Sequence, residues 1–196
     1  EDCMKIMAQY EDGYFDLAVV DPPYGIDVTK MEMGGRKRGV EDKKKSWDMG
    51  IPPDEYFIEL GRVSKNQVIW GGNYFNLPPS QYFCIWDKGE TMYGRDFAEC
   101  EYAWVKSGGT RIYKKNANQL GRIHPTQKPT GLYDFIYSRY AQEGQKILDT
   151  HLGSGSNAIS AHYAKMGEFV GCELDKDYYE ASIKRIYNET RQLELF

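Results

Sequence analysis

Asp21-Pro22-Pro23-Tyr24 follows directly on the apolar run Asp16-Leu17-Ala18-Val19-Val20, which reads as a buried strand stopped by prolines. A carboxylate, a rigid backbone and a phenol ring therefore arrive together at a strand's end. The two prolines fix the backbone so that the Asp21 carboxylate and the Pro22 carbonyl can face one point. Those two acceptors match the two N–H donors of an aromatic amine. The Tyr24 ring adds a plate on which a planar base can stack, worth roughly 1–3 kcal/mol. An aromatic amine is a poor nucleophile because its lone pair is delocalised into the ring. Hydrogen bonds to both its protons favour the pyramidal form, and an alkyl donor then only has to be held in line. The chemistry needs no metal and no covalent enzyme intermediate. Asp21, Pro22, Pro23 and Tyr24 are the catalytic candidates, set against a bland alternative of a proline-rich turn with a buried tyrosine.

A second constellation is Asp149-Thr150-His151-Leu152-Gly153-Ser154-Gly155, with Glu173 at the end of the next apolar run. A strand that ends in a glycine turn and feeds a helix lets backbone come close to a ligand. An acid at the end of the following strand can accept hydrogen bonds from both ribose hydroxyls. That geometry suits an adenosine-type cofactor. The dinucleotide fingerprint with three spaced glycines is absent, which disfavours NAD. Thr126 and Lys128 in His124-Pro125-Thr126-Gln127-Lys128-Pro129 are a hydroxyl and a cation suited to a carboxylate.

The elements that must position these groups can be read along the chain. The opening residues resemble the end of a strand, so the natural start is expected upstream of Glu1. Residues 26–50 carry no apolar period and form an expected surface loop. A helix is expected over Asp54–Val63, then strands over Gln67–Trp70, Tyr82–Trp86 and Glu101–Val105. Leu132, Phe135, Ile136, Arg139 and Tyr140 form a helical stripe ending at Gly144. Ile147-Leu148 is a strand delivering Asp149. A helix from Ser156 to Met166, capped by Gly167, leads to the strand Phe169–Cys172. Tyr179, Ile183, Ile186 and Tyr187 mark a last helix. Strand alternating with helix predicts an α/β fold with a parallel sheet, in one domain over residues 1–196.

Composition narrows the partners. Hydrophobic residues make up 41% and charged residues 28% of the 196, and no apolar run approaches a membrane span. The four cysteines lie at least sixteen positions apart, so zinc knuckles and redox pairs are absent and a reduced, cytoplasmic protein is expected. Net charge is −4, yet residues 106–128 hold six basic side chains and no acid. Residues 26–50 hold seven basic against five acidic side chains. Basic segments on an acidic body could meet a phosphate backbone, or be merely solvated loops. Lys30, Arg36, Lys37, Arg38, Lys114, Lys115 and Arg122 are the candidate phosphate contacts. Aromatic clustering at Trp70–Phe75 and Phe83–Trp86 could line a base pocket, but core packing is the better reading.

These motifs resemble the amino-methyltransferases of DNA, whose signature is (Asp/Asn/Ser)-Pro-Pro-Tyr. The order here, with the Asp21 motif first, the His124–Pro129 stretch next and the glycine turn last, is similar to their circularly permuted β class. The resemblance implies a Rossmann-like methyltransferase fold, a mostly parallel sheet with helices on both faces. It implies S-adenosyl-L-methionine as cofactor, with Asp2, Asp21, Thr126, Lys128, Asp149, Leu152, Gly153, Ser154, Gly155 and Glu173 around it. In that family Asp2 would contact the adenine and the His124–Pro129 stretch the methionine end. The implied substrate is double-stranded DNA, entered by base flipping. The Asp form of the tetrapeptide favours adenine N6, with cytosine N4 the alternative. An RNA amino-methyltransferase or a non-catalytic DNA-binding relative also stays open. About forty residues separate Trp86 from His124, too few for a separate target-recognition domain. Base reading then falls to the loops 26–50 and 106–123, which could be shared across a homodimer.

Overall fold

The run after Tyr14 forms β1 (Phe15–Val20), and every residue of it except Asp16 is buried. The computed structural model describes residues 1–26, 50–95, 98–116, 123–124 and 126–191. Within them β1 is joined by β2 (Ser64–Trp70), β3 (Tyr82–Asp87), β4 (Cys100–Val105), β5 (Arg111–Lys114), β6 (Lys146–Asp149) and β7 (Glu168–Gly171). The seven strands make a sheet of order β5-β3-β4-β2-β1-β6-β7. β1 pairs in parallel with β2 (Val19 opposite Val68) and with β6 (Leu17 opposite Ile147). β4 alone is reversed, running antiparallel to both β2 and β3.

A central strand covered on both faces must be apolar throughout, which explains the unbroken Leu17–Val20 run. Leu17 and Val19 pack with Trp70, Trp86, Leu132 and Ile136 on one face. Ala18 and Val20 pack with Met7, Tyr56, Leu60 and Ile69 on the other. Each fully buried Leu or Val stabilises the fold by roughly 1.5–3 kcal/mol. α3 (Thr130–Tyr140) and α4 (Ser156–Tyr163) cover the first face, while α1 (Cys3–Met7) and α2 (Asp54–Val63) cover the second. α5 (Lys176–Thr190) packs on α4. Trp70 and Trp86 are core residues, in agreement with the core-packing reading.

Several sequence expectations are corrected. The chain opens on helix α1, not on a strand, with the Asp2 side chain accepting from the Met4 amide at 2.9 Å as its N-cap. β2 begins three residues earlier than the apolar pattern suggested, because Ser64 and Asn66 continue the parallel pairing with Phe15 and Leu17 of β1. Buried Gln67 is satisfied by donating its Nε2 to the Ser64 carbonyl at 2.8 Å. Residues 111–114, expected as loop, form edge strand β5, where charged side chains are tolerated because one side of the strand faces solvent. α3 ends at Tyr140, before Gly144. α4 ends at Tyr163 in a Schellman turn with Lys165 in the left-handed region at φ 52°. In that turn the Met166 amide donates to the Ala161 carbonyl at 3.0 Å. Gly167 is not the cap; a Cβ there would meet the Gly144 carbonyl oxygen at 2.3 Å, so it answers to close packing. Of the anticipated α5 stripe, Tyr179, Ile183 and Tyr187 face solvent, Ile186 is half-buried against Gly155, and Tyr178 and Ser182 are buried. The small Ser182 allows the helix to approach the glycine turn: a Cβ on Gly155 would lie 3.4 Å from that of Ser182.

Candidate active site

In a parallel sheet every strand ends at the same edge, and ligands bind there. β1 delivers Asp21, its neighbour β6 delivers Thr150, and β7 delivers Cys172 and Glu173 to that edge. The result is a cleft of about 560 Å³. Its walls include Asp2, Asp21, Pro23, Thr126, Lys128, Leu152, Gly153, Ser154 and Glu173. Asp21 and Gly153, 132 positions apart, thus share one cavity, of the size that small-molecule sites take. Pro22, Tyr24, Asp149 and Gly155 do not line it and stand behind the wall.

The cofactor-side wall is built from backbone held by carboxylates. Glu173 accepts from the Gly153 amide through one oxygen and from the Asp175 amide through the other, both at 2.9 Å. Gly153 and Gly155 have φ of 52° and 77°, values that side chains with a Cβ rarely take. Asp149 accepts from the His151 amide at 3.0 Å and from Asn157 Nδ2 at 2.9 Å, and Asn157 also donates to the Val19 carbonyl. Asp149 therefore ties the turn to α4 and to the catalytic strand. Burial pushes its carboxyl up to about 7, opposed by the Asn157 hydrogen bond. Arg185 on α5 donates to the Ser154 carbonyl at 3.0 Å, closing the turn from outside. Burial holds the His151 imidazole down at about 4, so it is neutral at pH 7. Thr126 Oγ1 lies 3.2 Å from His124 Nδ1, and the His124 ring meets Tyr178 edge-on at 4.4 Å.

The catalytic-side wall is a buried charge cluster. Tyr24 donates its hydroxyl to Asp21 Oδ1 at 2.6 Å. Lys128 Nζ sits 2.5 Å from Asp21 Oδ2, 3.0 Å from Glu101 Oε2 and 3.2 Å from the Tyr24 hydroxyl. Lys88 Nζ reaches the other Glu101 oxygen at 2.9 Å. Lys128 also lies over the Trp70 and Tyr24 rings, at 5.5 and 5.7 Å. Burial raises the Asp21 carboxyl above its ordinary value against the pull of Lys128, with Glu101 adding to the rise. Burial would raise Glu101 too, but Lys128 and Lys88 outweigh it and hold that carboxyl at about 2. The Tyr24 ring stacks on Tyr74 with centroids 5.0 Å apart and planes 10° from parallel. Gly71 backs that ring so closely that a Cβ would fall 2.2 Å from it.

Glu101 and Lys88 were not singled out by sequence reading, and Tyr74 entered it only as part of the Trp70–Phe75 aromatic cluster. Glu101 sits near the start of β4, and only the reversal of β4 brings a strand's start to the edge where the others end. No local motif signals that. Among the basic candidates, Lys114 is exposed, paired with Glu90 at 3.1 Å and set over the Tyr93 ring. Lys115 is exposed beside Gly131, and neither lysine lines the cleft. Lys30, Arg36, Lys37, Arg38 and Arg122 lie outside the described residues. Among the described residues no cluster of potential ligands could hold a metal ion, and no helix is long and apolar enough to cross a membrane.

Comparison with known proteins agrees with this geometry. Residues 85–184, about half of the chain, match the DNA methylase family. The type II methyltransferase M2.DpnII of Streptococcus pneumoniae is 37% identical over 145 residues, covering 74% of this chain and 50% of that protein. In architecture the chain is similar to M1.HpyAVI in its SAM complex, with TM-score 0.62 and 18% identity over 94% of this chain and 96% of that one. It is also similar to the PvuII DNA methyltransferase, described as cytosine-N4-specific, with TM-score 0.61 and 10% identity over 98% and 90% of the two chains. The sheet order, the strand-end cleft and the matched segment lead to one assignment: the chain has the methyltransferase fold and belongs to the DNA methylase family.

Proposed function

We propose that this protein transfers the methyl group of S-adenosylmethionine to the exocyclic amine of a base in double-stranded DNA, adenine N6 being the target. The observation that carries the reading is the shared cleft, with the amine-orienting Asp21 on one wall and the ribose-type acceptor Glu173 on another. The cleft fits the cofactor: both Glu173 oxygens keep a lone pair for hydroxyl donors, and Gly153 and Ser154 present backbone without bulk. In this reading Asp2, Leu152, Gly153, Ser154 and Glu173 hold the adenosine half, and Thr126 lies toward the methionine half. When bound, S-adenosylmethionine supplies a methyl group on a positively charged sulfur. The Asp21 carboxylate orients the amine by accepting one of its N–H groups, while Pro22, whose carbonyl the sequence offered as the second acceptor, does not line the cleft. Asp21 also takes up the proton that the nitrogen sheds once it carries the methyl group, and passes it to water. Base flipping costs a few kcal/mol, offset by phosphate contacts from the basic segments, while the Tyr24 ring, expected as a stacking plate for the base, packs on Tyr74 and does not line the cleft.

Nucleoside mass spectrometry of duplex DNA treated with protein and S-adenosylmethionine tests this directly. N6-methyladenine is the expected product. N4-methylcytosine would leave the mechanism standing and move the substrate to cytosine, the specificity of one neighbour of the same fold. The absence of both products would reject the reading. Glu173→Ala is expected to weaken binding of S-adenosylhomocysteine by about tenfold or more, since hydrogen bonds to a charged acceptor contribute roughly 1.5–3 kcal/mol each. Calorimetry reads that change, and affinity within twofold of wild type would remove Glu173 from the cofactor site.

A further inference from the structure

Asp21 and Glu101 share one ammonium. Lys128 Nζ lies between them, 2.5 Å from Asp21 and 3.0 Å from Glu101, with its side chain only 4% exposed. Glu101 is the better furnished of the two acids, because Lys88 sits on its far oxygen at 2.9 Å. Glu101 Oε2 is sealed from solvent, and its contact with Lys128 is an ion pair without hydrogen-bond alignment. A cluster of two acids and two cations is neutral as a whole, so the division of charge within it is open to geometry. Nothing in the chemistry of methyl transfer requires the second acid or the second lysine.

We infer that Glu101, anchored by Lys88, is a positioning residue that shares the Lys128 ammonium with Asp21 and, by its own negative charge beside that pair, keeps Asp21 able to accept the amine's proton. The inference rests on the methyl-transfer reading of the cleft. A carboxylate fully neutralised by a lysine at 2.5 Å is a weak proton acceptor; one that shares the lysine with a second carboxylate is stronger. The step served is the transfer of one proton: an N–H bond of the methylated amine breaks and an O–H bond forms on Asp21. Other groups that face Asp21 are the Tyr24 hydroxyl from its own segment, Tyr133 on α3 and Asp149 at the end of β6. All three stay in place in the variants below. The raised carboxyl of Asp21 beside a Glu101 held low is the separation of two acids that acid–base sites show.

Substitutions on the two sides of Glu101 have opposite signs. Glu101→Gln removes the competing charge and returns Lys128 wholly to Asp21, so kcat is expected to fall about tenfold. The acid limb of its pH profile should move down by about one unit. KM for S-adenosylmethionine and for DNA should stay within about twofold, because neither substrate is held by Glu101. Glu101→Asp should recover part of kcat and of the shift. Lys88→Met removes a positive charge and is expected to move the acid limb up, which a merely structural role does not do. Its side chain is 14% exposed, so it also serves if Glu101→Gln does not fold. A folded Glu101→Gln with wild-type kcat and pH limb overturns the inference, and so does a loss of stability with the limb unmoved. Should wild type itself methylate no DNA, the functional reading fails first, and the two failures are thereby distinguished.

Discussion

Asp21→Ala is expected to lower methyl transfer to duplex DNA by at least about a thousandfold, the range over which positioned acid–base groups contribute. Binding of S-adenosylhomocysteine should stay within about threefold of wild type. The asymmetry follows from placement. Asp21 follows β1 and, among the described residues, its side chain bonds to the catalytic-side cluster, Tyr24 at 2.6 Å and Lys128 at 2.5 Å. The cofactor-side wall is held independently by Glu173 on Gly153 and by Asp149 on Asn157. Removing Asp21 leaves Lys128 with Glu101, so the ammonium is not stranded. Asp21→Asn keeps the shape and loses the charge, and should be as inactive as the alanine variant. Radiolabelled methyl incorporation and calorimetry measure the two arms. Activity within tenfold of wild type in either variant would remove Asp21 from the chemistry.

Lys128→Met is expected to have the largest effect on stability. It removes the cation from a buried cluster and leaves the Asp21 and Glu101 carboxylates facing each other. Breaking a buried pair by deleting one partner costs about 3–5 kcal/mol. For a chain of this size that lowers Tm by roughly 6–20 °C. The pH dependence between 5 and 8 arises in the variant and not from Glu101 in wild type. Its folded value of about 2 lies below the ordinary 4.5, so in wild type its contribution is complete above 4.5 and is lost as pH falls toward 2. Without Lys128 the two acids repel, and one of them takes up a proton more readily. The destabilisation should therefore be smaller at pH 5 than at pH 8. Thermal melts at the two pH values decide it; a loss below 1 kcal/mol at pH 8 would mean that the ion pairs do not hold the cluster.

The two predictions differ in how much of their basis was legible in the chain. Asp21-Pro22-Pro23-Tyr24 and Gly153-Ser154-Gly155 with Glu173 are local patterns, and each sits at a strand end that apolar runs announce. Their placement in one cleft also follows from parallel pairing, because alternating strands and helices send strand ends to one edge. Lys128 was visible as a cation near the site, and its nearest acid was not. Glu101 and Lys88 meet it only because β4 runs backwards between β2 and β3, and Trp86 opposite Glu101 fixes that register. Direction and register depend on pairings between distant segments, which no short window records.

The helices repeat this lesson in smaller form. Apolar spacing located α2 at Asp54–Val63 without error, since its buried Tyr56, Leu60 and Val63 follow one face. The same spacing was right for Ile186 in α5, which packs on Gly155, and misread its neighbours: the close approach selects Ser182 for the interior and leaves Tyr179, Ile183 and Tyr187 outward. Likewise Lys165, not Gly167, takes the left-handed position, because Gly167 is needed where the Gly144 carbonyl crowds it. By itself the chain determined its strands β1, β2, β6 and β7 to within a few residues, the fold class and the two chemical motifs, because those are written in contiguous residue types and their periods. Only the tertiary structure decided which acids share the Lys128 charge and which face of α5 is buried. Those outcomes depend on distances between segments far apart in the chain, where electrostatics and close packing act and sequence spacing does not.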